Sequence, residues 1–233
     1  MNNQTYPENN TLTAAGSAAL AKAFLNKVYL WMAVCMLLTA GIAAYSAQDL
    51  ETIVWVGKHP LLLALGTIGI VVVMSFGANL LSSGALTVLL LTFAALQGLL
   101  FGPLLIAYEM DSIAKAFSCT AVMFGAMSIY GAVTKRNLST LGRTLFMLLI
   151  GLIVASIVNI FLGSSFMEFG ISCAGVIIFA LFTAYDTQKL LEIGLSDDET
   201  VRRKGAVLGA LTLYLDFINL FLMLLRFFGS RDE

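Results

Sequence analysis

The chain has 233 residues, 59% of them hydrophobic and only 12% charged, with a formal net charge of -1. Soluble domains average roughly 45–50% apolar and about 25% charged. This balance, with a mean hydropathy of +0.92, excludes an ordinary soluble domain, and the small net charge offers nothing to a nucleic acid. The length accommodates about seven spans of ~20 residues with short loops, which leaves no room for a separate soluble domain.

The chain opens on MNNQTYPENN, which is polar and acidic, and its first lysine is Lys22. That is not the pattern of a cleavable signal peptide. Residues 1–15 are expected to be a disordered tail, and 16–27 a short helix leading into the first span. In domain terms, 1–23 is a polar tail with a short helix, 24–229 a membrane domain and 230–233 a short C-terminal tail. Apolar runs predict spans over 28–47, 61–80, 85–107, 113–133, 144–163, 169–189 and 206–228. A lone strand cannot satisfy its backbone in lipid, so each span is read as a helix. The fold class is therefore an all-α integral membrane protein with seven transmembrane helices. The short connections predict that sequential helices are antiparallel neighbours. No internal repeat is evident.

Lysine and arginine placement sets the orientation. With the N-terminus in the cytoplasm, nine bases fall on that side: Lys22, Lys27, Lys135, Arg136, Arg143, Lys189, Arg202, Arg203 and Lys204. Four fall outside: Lys58, Lys115, Arg226 and Arg231. The C-terminus is then external. Asp49, Glu51, Glu109, Asp111 and Glu168 make the external loops acidic, and solvated loop charges are the simpler reading of them.

Several features point to packing. Cys35, Cys119 and Cys173 each lie alone in an apolar run, as small buried residues do. The single histidine, His59, precedes Pro60 and cannot by itself build a zinc site or a Ser–His pair. Gly98 and Gly102 in GLLFG form a small-xxx-small motif for close helix contact, and Pro103 would kink the helix just after it. Gln97 and Asn159 are expected to bond between helices. SDDETVRRK at 196–204 reads as a solvated loop, with Asp197 or Asp198 capping a short turn. KRNLSTLGR at 135–143 is basic, which the topology explains. No HExxH or GxSxG is present, so the expectation is no enzyme and no tightly bound cofactor. A retinal pigment would want a lysine in the last span, and 205–229 has none.

Two acids lie inside the predicted spans. Asp216 is central to the last one, and Asp186 is near the cytoplasmic end of the sixth. An ionisable group at such a depth costs roughly 2.5–3.5 kcal/mol on insertion scales and by default faces the protein interior. Thr212, Asp216, Asn219, Met223 and Arg226 fall on one arc of a helix, a polar stripe that places this helix in the centre of a bundle. Thr183 shares a face with Asp186. Counting from the predicted ends, the two acids differ in depth by roughly 10 Å at 1.5 Å per residue, a gap that tilt or a kink would have to close. Two carboxyls close together at low dielectric do not readily both ionise, so such a pair shares a proton. When both ionise they offer hard oxygen ligands to a cation. The alternative is structural: Asp216 hydrogen-bonds a neighbouring helix, and Asp186 snorkels or accepts from Lys189.

TAYDTQKL at 183–190 and LYLDFINLFLMLLRFFG at 213–229 resemble the two signature segments of the Bax inhibitor one family, also called transmembrane Bax inhibitor motif proteins. GLLFGPLLIAYEMDSIAKAFSCTAVMFGAMSIYGAVTKRNLSTLGR at 98–143 is similar to that family's third and fourth helices with their basic turn. The likeness covers most of 24–229. It implies a last helix surrounded by the other six and a pH-sensitive calcium leak gated by an aspartate pair at Asp186 and Asp216. Calcium would be both the permeant ion and a transient ligand of that pair, with Thr183, Thr212, Asn219 and Arg226 as supporting polar groups. It also implies links to cell-death control in eukaryotes and to membrane-protein quality control in bacteria. In some bacterial members a base from the second helix opposes the pair, whereas residues 60–114 here hold no Lys or Arg. The reading is a pH-sensitive calcium leak in a bacterial inner membrane. The alternative is a non-conducting regulator that binds membrane proteases or other membrane assemblies.

Overall fold

The computed structural model describes residues 14–229, so residues 1–13 of the polar tail and all of the 230–233 tail lie outside it. The described residues form helices α1 (Ala14–Ser46), α2 (Leu50–Lys58), α3 (Pro60–Phe76), α4 (Ser83–Ala107), α5 (Met110–Val133), α6 (Ser139–Leu162), α7 (Ser165–Gly194) and α8 (Glu199–Phe228), and no strand. Six of them, all but α2 and α3, are long and apolar enough to cross a membrane. The α2–α3 pair passes the same test together but is bent by 78°. The chain is an integral membrane protein.

Local chemistry fixes the breaks. The Asp49 carboxylate caps α2 by accepting from the Glu51 and Thr52 N–H groups. Pro60 begins α3, and the clash of its ring with the preceding residue drives His59 out of helical geometry and ends α2. This small helix occupies most of what was expected as an external loop. The expected short helix over 16–27 is not separate, because α1 runs unbroken into the first span. Gly163 closes α6 in the left-handed conformation, φ 60, which only glycine adopts without a steric cost. Asp198 does cap a helix, accepting from Thr200 and Val201, but that helix is the long α8. The stretch 196–204 is therefore mostly the start of α8 rather than a loop, and α7 and α8 both reach beyond their predicted ends.

Small residues decide which helices meet. A Cβ on Gly98 would strike Ile42 and the Thr39 carbonyl, and one on Gly102 would strike Ser46 and Ile53. The GLLFG motif is thus a packing seam between α4 and α1, and Pro103 lies within α4 without ending it. These contacts advance together along both chains, so α1 and α4 are parallel. Gly131 of α5 abuts the Ala184 backbone of α7, and Gly142 of α6 lies under the Tyr185 ring. The expectation that sequential helices are neighbours holds for α3–α4, α6–α7 and α7–α8, whereas α1 pairs mainly with α4 and α5 with α7. Short loops constrain where chain ends sit; glycine seams select the partners.

Of the spans, α8 is the most enclosed, with 67% of its apolar window buried, against 39% for α7 and 11% for α6. It packs chiefly on α1, α4, α5 and α7, while α3 leans on α4 and α6 on α7. Four main neighbours, rather than all six other spans equally, line α8. Phe217 meets Phe117 and Phe124 edge-on. The fully buried Tyr214 hydroxyl lies 2.8 Å from that of Thr39, which donates to the Ala94 carbonyl at 2.8 Å. With the Thr39 proton so used, Tyr214 is the donor, and one hydrogen-bonded chain ties α8, α1 and α4.

Candidate functional site

The glycine contacts between α7 and α8 set the register of the two aspartates. Gly205 meets Ile193, Gly209 meets Leu190 and Gly175 meets Met223. By that register the residue level with Asp186 lies about three before Asp216, an offset of ~4–5 Å along the axis. The Cα–Cβ bonds of a helix tilt toward its N-terminus. The two helices are antiparallel, so Asp186 leans toward Asp216 and Asp216 toward Asp186. Their side chains are in hydrogen-bonding contact. The gap is therefore much smaller than the roughly 10 Å expected from counting, because the end of α7 and the start of α8 are not level: by the same register α8 begins about five residues beyond the level of Gly194.

Asp216 is only 6% exposed, and its Oδ2 is buried without a bond from any N–H or hydroxyl among the described residues. An ionised carboxylate only accepts hydrogen bonds. A hydrogen bond between two carboxyls therefore requires that one of them carry a proton. Two further buried hydroxyls have no partner among the described residues: Thr187 Oγ1, next to Asp186, and Ser128 Oγ, one turn before Gly131. Both lie on the α5–α7 seam. Lys189 is the cation whose field reaches Asp186, and its Nζ lies 5.9 Å from the centre of the Tyr185 ring.

Three of the expected supporting groups hydrogen-bond on their own helices rather than to the pair. Thr183 is fully buried and donates to the Phe179 carbonyl at 2.9 Å. Thr212 donates to the Leu208 carbonyl and Asn219 to that of Leu215. Each satisfies itself on its own helix four residues back, as polar groups in apolar helices commonly do. Arg226 is exposed at the other end of α8, in a pocket of about 330 Å³ with Ser156, Asn159 and Glu168. Asn159 does not bond between helices either; its Oδ1 accepts from the Ser164 N–H across the α6–α7 turn.

Gln188 has a role that sequence reasoning missed. Its Oε1 accepts from the Leu138 N–H at 2.8 Å, and its Nε2 donates to the Arg136 carbonyl at 2.9 Å. One amide thus clamps the basic α5–α6 turn to α7, two residues from Asp186. Both partners are backbone groups, so no residue type in the turn signals the contact; Gly131 and Gly142 are the visible trace of that packing. On the other side of Asp216, toward Arg226, an apolar cavity of about 160 Å³ lies between α1, α4, α5 and α8, with Phe101, Phe117, Phe217 and Phe221 in its wall.

Comparison with known proteins agrees with this picture. The family model described as inhibitor of apoptosis-promoting Bax1 matches residues 21–233. The inner membrane protein YbhL of Escherichia coli K12 is 45% identical over 214 residues, covering 89% of this chain and 92% of that one. An uncharacterized protein of Deinococcus radiodurans is 43% identical, covering 91% and 92%, and one of Rickettsia prowazekii is 36% identical, covering 90% of each. With a family match over nearly its whole length and bacterial relatives at this identity, the chain belongs to the Bax inhibitor one family of membrane proteins.

Proposed function

We propose that this chain is a seven-span calcium leak channel gated by one proton shared between Asp186 and Asp216. The observation that carries the reading is the contact between two carboxyls inside a membrane helix bundle. While the proton is held, the pair is an attractive link between α7 and α8. Beyond it, the cavity wall is apolar except for Thr39, whose hydroxyl is already engaged by Ala94 and Tyr214, so this conformation is read as the closed one. Loss of the proton leaves two like charges side by side. At 4 Å and an effective dielectric constant of 20 they repel by roughly 4 kcal/mol, which pushes the carboxyls apart and presents their oxygens to calcium.

The topology follows the same reading. Because α1 and α4 are parallel, the chain between them has to return across the bundle, and α3 with its 17 residues is the helix available to do so. That supports a seventh span, and the enclosure of α8 supports a central last helix. The nine-to-four division of bases supports a cytoplasmic N-terminus and an external C-terminus. The E. coli relative's inner-membrane location supports the same membrane for this chain. No enzymatic step and no resident cofactor belong to the reading.

The test is calcium flux through liposomes containing only this protein. Flux that rises with protein density supports the channel. Its absence in correctly inserted protein would favour a non-conducting regulator of membrane proteases or other membrane assemblies.

A further inference from the structure

At the end of the bundle where α4 and α8 begin, a pocket of about 510 Å³ opens between α1, α4 and α8. Its wall carries Lys27, Arg202 and Arg203 against a single acid, Glu199. Glu199 is already engaged, accepting from Arg203 at 2.6 Å. Arg202 donates to the Ser196 carbonyl at 2.7 Å. Lys27 is exposed and makes no ion pair or hydrogen bond among the described residues. The pocket therefore holds two positive charges in excess. The start of the 25-residue α4 adds to them: Ser83 and Gly84 line the pocket, and a Cβ on Gly84 would meet only the Ser82 hydroxyl, at 3.9 Å. A helix start carries partial positive charge and first-turn N–H groups that suit an anion. The remaining wall is greasy. Trp31 lines the pocket, and Leu30, Val34 and Val88 are exposed on the adjoining faces of α1 and α4.

A soluble anion would use the charges but not this apolar margin. We propose that the pocket binds the phosphate headgroup of an anionic phospholipid, with the acyl chains along the exposed faces of α1 and α4. Basic pockets between membrane helices suit such headgroups. The site is separate from the aspartate pair and does not depend on conduction.

The experiment is native mass spectrometry of the whole protein in detergent, titrated with phosphatidylglycerol or phosphatidylcholine, with glycerol 3-phosphate as a soluble competitor. Phosphatidylglycerol should be retained over phosphatidylcholine, and glycerol 3-phosphate should not displace it. Each cation removed, in Lys27→Gln and in Lys27→Gln/Arg202→Gln, should weaken retention about fivefold. Lys135→Gln, outside the pocket, should not. Lys27 is exposed, so Lys27→Gln alone carries the test if the double variant unfolds. Undiminished retention by Lys27→Gln, equal retention of the two lipids, or displacement by glycerol 3-phosphate would each overturn the assignment.

Discussion

Asp186 and Asp216 touch because antiparallel helices tilt their side chains toward one another. The offset of about three residues between α7 and α8 suits that tilt. Glycines at 175, 205 and 209 hold this register. A bulkier residue at any of them would crowd Met223, Ile193 or Leu190 across the α7–α8 seam without changing either aspartate.

The α5–α7 seam allows a direct comparison of two glycines on one helix. Gly131→Ala puts a methyl group against the Ala184 backbone, which cannot rotate away, whereas Gly125→Ala meets nothing within 4 Å. Overpacking of this kind costs about 1–3 kcal/mol, while Ala in place of Gly in a helix gains roughly 0.5–1 kcal/mol. Thermal unfolding in one detergent should rank Gly125→Ala at or above wild type and Gly131→Ala below it. The reverse order would mean that the seam is loose.

The Tyr214–Thr39–Ala94 chain is asymmetric. Tyr214→Phe removes one hydrogen bond and leaves Thr39 bonded to Ala94, a loss of about 0.5–1.5 kcal/mol. Thr39→Val strands the buried Tyr214 hydroxyl, at about 1–3 kcal/mol. Chemical unfolding should therefore find Thr39→Val the more damaging of the two.

Gln188→Leu removes both bonds that hold the 134–138 turn. Faster amide exchange at Leu138, with little change in the core of α8, is the expected result. Gln188→Glu keeps the acceptor for Leu138 and loses the donor to Arg136, so exchange at Leu138 should stay close to wild type.

The Asp49 cap gives a pH dependence outside the membrane. Hydrogen bonds from the Thr52 hydroxyl and then from the Thr52 and Glu51 N–H groups hold its carboxyl below the ordinary carboxylate range. A lowered value means that the capping contribution is fully present above the unfolded value of about 3.9. It is lost as pH falls through the lower folded value. Protection of the Glu51 and Thr52 amides should thus persist at pH 5 and decline only in strong acid, and Asp49→Ala should remove it at every pH.

Composition and apolar runs made the helical membrane fold legible, because a bilayer permits few alternatives. The two aspartates were legible for the same reason, since acids stand out in greasy helices. Their depth was not. It depends on glycine contacts between α7 and α8 and on helix ends hidden within a charged stretch, where Asp198 begins a helix rather than a turn. Helical spacing reveals the shared face of the polar stripe but not that Thr212 and Asn219 satisfy themselves on their own backbone. Gln188 escaped notice because its partners are backbone atoms.

The most direct test is calcium flux through proteoliposomes from about pH 6 to pH 8, for wild type, Asp186→Asn, Asp216→Asn and the double variant. Asparagine preserves shape and hydrogen bonding but cannot exchange the shared proton. Each single variant should fold with little loss of stability, since a neutral amide is cheaper to bury than a carboxylate. Each should also lose most of the pH dependence, and the double variant should add little, because a coupled pair acts as one unit. Wild-type flux should rise with pH as the pair loses its proton. Single variants that kept the full wild-type pH response would contradict the shared-proton gate and leave the aspartates a structural contact.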